Sequence, residues 1–236
     1  MKSLLLTLLL MTTNAFTTEF HLNSQVTQTQ VIELYTSQGC SSCPPADRWL
    51  SSLKSSPKLF RSFIPMAFHV DYWDYIGWKD ELALANNSKR QRLYKHYGNL
   101  NSVYTPGVVK AGKEWRSWYG SMINESKTKV GQLSVEFKNN QLNAKFDALK
   151  QTEYTLFVAL LGMNLQTKVK AGENHGKILR HDFVVLKQKS FGSSKGVWHE
   201  TVTEEFFKSK HPNTAFVAWV EKTNNLTPVQ AVATFL

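Results

Sequence analysis

The sequence predicts an α/β unit followed by an all-β unit, and three observations carry that prediction. Residues 31–110 alternate short β-rich runs with helically spaced stretches. A helix pattern lies between the first two β-rich runs, which argues for a parallel strand pair joined by a crossover. Beyond Val130 no helix pattern of useful length survives, and alternating apolar and polar residues take over.

The elements follow in order. Val31–Tyr35 is a short β-rich run that ends in the turn residues Thr36-Ser37-Gln38-Gly39. After Cys40-Ser41-Ser42-Cys43-Pro44-Pro45, the apolar positions Ala46, Trp49, Leu50 and Leu53 keep helical spacing. Prolines are tolerated in a first helical turn because those N–H groups lack partners anyway. Phe63–Val70 reads as a second strand, and Asp80–His96 as a helical stretch broken near Asn86-Asn87. Val103–Lys110 contains a third strand interrupted by Pro106, and the turn Ala111-Gly112 leads to a fourth at Glu114–Trp118. Ser121–Lys129 reads as a weaker helix. Then come a hairpin, Leu133–Lys138 with Leu142–Phe146 about Asn139-Asn140, and strands at 154–161, 165–170, 178–187, 197–202, 214–222 and 229–235.

The chain has 236 residues, 42% hydrophobic and 19% charged, which supplies a core and excludes wholesale disorder. The net charge of +10 is diffuse. Residues 1–120 carry 13 basic and 8 acidic side chains, and residues 121–236 carry 15 and 10. The densest basic cluster, Lys89, Arg90, Arg92 and Lys95, reads as a solvated helix face. Nucleic-acid binding would concentrate charge on one element beside a reader motif, so no nucleic-acid partner is expected. Met1-Lys2 followed by a short leucine-rich run to Met11 has the form of a secretory signal peptide, too short to span a bilayer. The expected mature chain is exported, periplasmic or secreted, without a stable membrane span, in a compartment where a disulfide persists.

Two cysteines allow one intramolecular pairing. A Cys-x-x-Cys between a strand and a helix points to redox chemistry. The helix terminus stabilises a thiolate, which attacks a disulfide and is then resolved by the second thiol. Cys40 is the expected nucleophile and Cys43 the resolving thiol. Two other readings remain open: a Cu(I) site of the same thiolates with a histidine, and an inert disulfide. Zinc would require a second ligand pair, and no other cysteine exists. By analogy with thioredoxin-fold proteins, Thr105-Pro106 is expected to be cis and to face the cysteines, with Thr105 presenting its backbone to substrate. Glu33, an acid inside an apolar strand, is either a buried proton shuttle or a partly exposed edge residue.

Four blocks carry a family resemblance: Glu33–Asp47 around the cysteines, Phe68–Asp80, Ser102–Pro106 and Gly172-Glu173-Asn174-His175-Gly176. Together they resemble the secreted thioredoxin-like family catalogued as domain of unknown function 1223. Gly107 departs from that pattern, at a position where a longer side chain is expected. The resemblance implies an α/β thioredoxin-like N-terminal domain followed by an all-β, antiparallel sandwich-like C-terminal domain. The expected divisions are a signal peptide at 1–15, a flexible N-terminus at 16–29, the thioredoxin-like domain with a helical insertion at 30–130, and the β domain at 131–236.

The aromatic and acidic block after the second strand has two readings. In one, Trp73 and Trp78 form a platform beside the cysteines, with His69, Asp71 and Asp74 as polar or proton-transfer groups. In the other, the block plugs a sheet end and its acids cap a helix, Asp80 foremost. The 172–176 loop is either a tight turn or a segment reaching the cysteines, with His175 or His181 near Cys40 or completing a metal site. The expected function is thiol–disulfide exchange on envelope proteins or small thiols, with no cofactor beyond the Cys40–Cys43 pair. The alternatives are a Cu(I) carrier and a non-catalytic binding module with a fixed disulfide.

Overall fold

The computed structural model describes residues 18–150, 152–223 and 225–236. The expected signal segment and residues 16–17 lie outside the described residues. Among the described residues, fourteen strands and two helices form, with short 3-10 turns between them. The first half holds β1 (Phe20–Asn23), β2 (Gln30–Thr36), α1 (Pro44–Ser52), β3 (Phe63–His69), α2 (Ala85–His96), β4 (Gly107–Lys110) and β5 (Lys113–Glu114). The second half holds β6 (Leu133–Lys138), β7 (Gln141–Phe146), β8 (Tyr154–Gly162), β9 (Leu165–Lys168), β10 (Ile178–His181), β11 (Val184–Ser193), β12 (Val197–Thr201), β13 (Thr214–Lys222) and β14 (Thr227–Phe235).

The expected division into an α/β thioredoxin-like domain followed by a separate β sandwich is wrong. The molecule is mainly β, and one eight-stranded sheet crosses the expected boundary in the order β14-β13-β8-β11-β3-β2-β4-β5. β2 and β3 pair in parallel, as the crossover helix implies. β4 then adds antiparallel to the far edge of β2, which leaves the other edge of β3 open. β11 fills that edge in parallel, with Val184 opposite Ala67 and the Ala67 N–H donating to Phe183 O at 2.8 Å. An unpaired strand edge is a liability, and here the second half of the chain removes it.

The same sheet serves two cores because successive side chains point to opposite faces. Leu156, Val158, Leu160, Phe216, Ala218 and Val220 point one way, and the smaller sheet β1-β6-β7-β12 packs over them as a sandwich. Ala159, Leu161, Ala215, Val217 and Trp219 point the other way and join the core built on β2, β3 and α2. Residues 20–23, expected as part of a flexible tail, instead form β1, paired with β6. Ser121–Lys129 is not helical, and the expected strand 178–187 divides into β10 and β11. Asn86 and Asn87 lie inside the first turn of α2 and do not break it. A Cβ on Gly107 would sit 2.9 Å from Tyr104 O, so the longer side chain expected there does not fit. No helix among the described residues is long and apolar enough to cross a membrane.

A buried ionic cluster ties the two halves together. Arg90, on α2, donates Nε to Glu33 Oε2 and Nη2 to Glu33 Oε1, both at 2.8 Å, and also pairs with Glu221 of β13. Tyr35 and Tyr94 hydroxyls donate to Glu33 at 2.7 and 2.6 Å, and Trp219 Nε1 donates to Glu221 at 2.6 Å. The guanidinium lies 5.2–5.6 Å from the ring centres of Phe68, Tyr94, Phe157 and Trp219. Arg90 is therefore no solvated helix-face residue. Burial opposes its charge, but Glu221 and Glu33 outweigh that and hold it protonated.

One guanidinium faces two carboxylates. Burial, with Glu33 adding to it, pushes the Glu221 carboxyl above its ordinary value although Arg90 pulls it down. The folded chain therefore keeps a proton that the unfolded chain releases near pH 4.5. That proton stabilises the fold below the unfolded value, and its contribution is lost as pH rises through the folded value. Glu221→Gln holds the neutral state permanently. The difference in Tm between wild type and this variant, followed by calorimetry from pH 4 to 9, is expected to grow in the variant's favour as pH rises. A pH-independent difference would refute the retained proton on Glu221.

Candidate functional site

β2 ends at Thr36, and the turn Ser37–Gly39 delivers Cys40 to the start of α1. Cys40 and Cys43 form a disulfide with Cα atoms 5.4 Å apart, and Cys43 is the N-cap of α1. Both cysteines are fully buried, whereas Ser41 and Ser42 between them are exposed. The bonded sulfurs offer no thiolate, so the Cu(I) reading requires reduction first.

The helix terminus supplies less than its position suggests. Pro44 and Pro45 occupy the first two helical positions and carry no N–H. The next two, of Ala46 and Asp47, donate to Cys43 O at 2.9 and 3.1 Å, and the Cys43 N–H donates to Cys40 O at 3.3 Å. None of these donors is left for a thiolate. The polar hydrogen reaching a sulfur is the Ser42 hydroxyl, 3.4 Å from Cys40 Sγ.

The 172–176 loop between β9 and β10 does reach the cysteines, but not through its histidine. Asn174, fully buried, donates Nδ2 to Gln38 O and Cys40 O, both at 2.9 Å. Glu173 accepts from the Ser41 N–H at 3.0 Å, and its hydrogen bonds to Ser41 hold its carboxyl below the usual range. His175 is exposed and takes no part in this clasp's hydrogen bonds. The sequence does not reveal the Asn174 and Glu173 contacts, because glycines on either side give the segment the pattern of an ordinary turn.

The aromatic block acts as the plug. Trp73 Nε1 donates to Thr105 Oγ1 at 2.7 Å, and Trp78 Nε1 to Gln38 Oε1 at 3.0 Å. A Cβ on Gly39 would lie 3.1 Å from Ile76 Cδ1 and 3.2 Å from Trp73 Cβ, so this segment closes directly on the turn before Cys40. Asp71 accepts from the Ser88 hydroxyl and ties the segment to α2, while Asp74 accepts from the Asp80 N–H at 3.2 Å and holds backbone in place. The Thr105–Pro106 bond is cis, as expected, and both residues are half-buried. Tyr75 stands 82% exposed, stacked 6.4 Å from Trp73, and is the one aromatic of the block open to a partner's surface.

Glu33 is not brought to the disulfide. On β2, Glu33 and Tyr35 face α2, and Thr36 faces the other side. His69, paired with Thr36, shares that other side with α1. It is fully buried, its Nδ1 lies 2.7 Å from Asp80 Oδ2, and its ring stacks edge-on against His181 at 4.7 Å. Burial disfavours the charged imidazolium, but Asp80 overrides this and raises the His69 pKa. For Asp80, burial raises its pKa, yet His69 and the Gln38 and Leu82 N–H groups bring it below the ordinary carboxylate range. Asp80 does not cap a helix, because α2 begins at Ala85 with Leu84 as its N-cap; instead it fixes the Gln38 and Leu82 backbone and anchors His69.

This arrangement defines a β-rich protein with a shielded Cys-x-x-Cys disulfide at a strand-to-helix turn. Residues 31–221 match the family described as Protein of unknown function (DUF1223), and the chain belongs to that family. Among solved structures it is similar to a crystal structure of a protein from Agrobacterium tumefaciens: 25% identity, TM-score 0.63, covering 90% of this chain and 96% of that one. It also shares its fold with HBP35 of Porphyromonas gingivalis, at 13% identity and TM-score 0.54, covering 89% of this chain and 76% of that one. No curated protein matches.

The Ser42 hydroxyl gives a test of thiolate stabilisation. A hydrogen bond to a charged acceptor contributes about 1.5–3 kcal/mol, which corresponds to roughly one to two pKa units. Ser42→Ala is expected to raise the Cys40 thiol pKa in the reduced protein by about that much, read from the pH dependence of alkylation. An unchanged titration would remove Ser42 from the site.

Proposed function

We propose that Cys40 and Cys43 carry out thiol–disulfide exchange, working as a reductant toward disulfides of exported envelope proteins or small disulfides. The supporting observation is the disulfide at the start of α1, buried under a hydrogen-bonded clasp, with prolines at the first two helical positions and the next two N–H groups already spent on Cys43 O. Weak thiolate stabilisation disfavours the reduced form, so the pair gives up electrons readily. In the reaction the Cys40 thiolate attacks one sulfur of the substrate disulfide and the other sulfur leaves as a thiolate, which takes up a proton. Cys43, losing its proton, then attacks Cys40 Sγ and releases the second substrate thiol. Two electrons pass to the substrate, and a partner dithiol restores the reduced pair by the reverse exchange. Separation of the Asn174 and Glu173 contacts exposes Cys40 for each cycle, and Tyr75 with Trp73 offers an apolar rest for the substrate.

Complete burial of both cysteines also favours a second reading, a binding module with a fixed disulfide. The two readings predict different outcomes. Exchange predicts that Cys40→Ser abolishes disulfide reduction and that Cys43→Ser accumulates a mixed disulfide, seen by mass spectrometry. It also predicts that Asn174→Ala speeds reduction by dithiothreitol about tenfold, since lost hydrogen bonds of about 1–2 kcal/mol hold the clasp closed. A fixed disulfide predicts a potential below about −300 mV and no trapped species.

A further inference from the structure

A second cluster lies on the same face of the sheet as α1. Asp47 follows Cys43 by one helical turn, His69 ends β3 and His181 ends β10. One ligand atom from each lies within 4.8 Å of the other two, and all three residues are buried. His181 Nδ1 is 3.8 Å from Asp47 Oδ2. His69 Nε2 and both ring nitrogens of His181 are buried without a hydrogen-bond partner among the described residues. Thr36 Oγ1, at the strand position paired with His69, is a fourth such atom. Leaving a buried polar atom unpaired costs about 1–3 kcal/mol, so this group is unfinished as protein alone.

We propose that Asp47, His69 and His181 bind one divalent transition-metal ion of the zinc class. Two imidazole nitrogens and one carboxylate oxygen suit zinc with a position left for a further ligand. A tetrahedral ion with bonds of about 2.0–2.2 Å spaces its ligand atoms about 3.3–3.5 Å apart. The pair at 3.8 Å needs only a small movement, and the widest allowed spacing closes by little more than an ångström. Asp80, bound to His69 Nδ1 at 2.7 Å, directs Nε2 toward the ion, the carboxylate–histidine–metal arrangement of metal sites generally. A cleft of about 120 Å³, lined by Pro44, Asp47, Arg48, Ile178, Leu179 and Arg180, reaches Asp47 from the surface and offers an access route. The site uses neither cysteine and stands apart from disulfide exchange.

The test uses tag-free, disulfide-intact chain stripped by chelator, titrated with Zn²⁺ by calorimetry and with Co²⁺ by visible absorption. One ion per chain is expected, with Co²⁺ bands of a four- or five-coordinate site. His181→Gln and Asp47→Asn are each expected to weaken Zn²⁺ binding at least about tenfold, and Asp80→Asn by about 10–100-fold. A Cys40→Ser/Cys43→Ser double variant is expected to keep the ion. X-ray absorption of the wild-type zinc form, which depends on no variant folding, is expected to show nitrogen and oxygen neighbours with imidazole scattering. Absence of stoichiometric binding, sulfur in the coordination shell, or affinity unchanged in the folded His181→Gln and Asp47→Asn variants would overturn the proposal. Two buried waters would then complete the cluster instead.

Discussion

Arg90 is the constraint on which the rest of the structure depends. Its guanidinium is buried between Glu33 on β2 and Glu221 on β13, four aromatic rings surround it, and it rides on α2. An isolated charge in such a place is prohibitive. Removing one partner of a buried ion pair typically costs about 3–5 kcal/mol. Glu33 pairs with it within the first half of the chain, but Glu221 and two of the four rings, Phe157 and Trp219, come from the second half, so the first half alone leaves the ion pair without its second carboxylate and its cover. That couples the α1–α2 region to the long antiparallel strands and explains why the sheet has no seam at residue 130.

The two faces of that sheet divide the work. The α2 face holds the ionic cluster, saturated with hydrogen bonds and sealed by aromatics. The α1 face holds the disulfide and the buried histidines, and among the described residues only there do polar atoms remain unpartnered near the candidate chemistry. The clasp over the disulfide comes from a hairpin, β9–β10, whose last residue is His181. Movement of this hairpin would therefore be felt at both the cysteines and the histidine cluster.

Local elements were legible where one residue's own chemistry decides them. The turn at 37–43, the prolines opening α1, the parallel β2–β3 pair and the 133–146 hairpin follow from spacing and turn residues. The separate thioredoxin-like domain did not follow. Strand patterns reveal that a segment pairs, but the partner across an open edge is decided by geometry far away in sequence. The same limit hid Asp47, which reads as an ordinary acid in a first helical turn, and Arg90, which sits in a basic run that looks solvated. Asn174 was hidden because its partners are backbone carbonyls, invisible to any pattern of side chains.

The sequence by itself determined that Cys40 and Cys43 share one strand-to-helix turn, because three residues of separation and two following prolines allow little else. It determined the β-rich character of the second half, whereas the cis bond at Pro106 was expected only by analogy. Only the tertiary structure decided that the disulfide is buried, that the Ala46 and Asp47 N–H groups are spent on Cys43 O, and that His69 meets His181 and Asp47. The reason is one of range. Spacing and propensity act over a few residues, whereas burial and the pairing of charges are set by segments more than a hundred residues apart, brought together by one sheet.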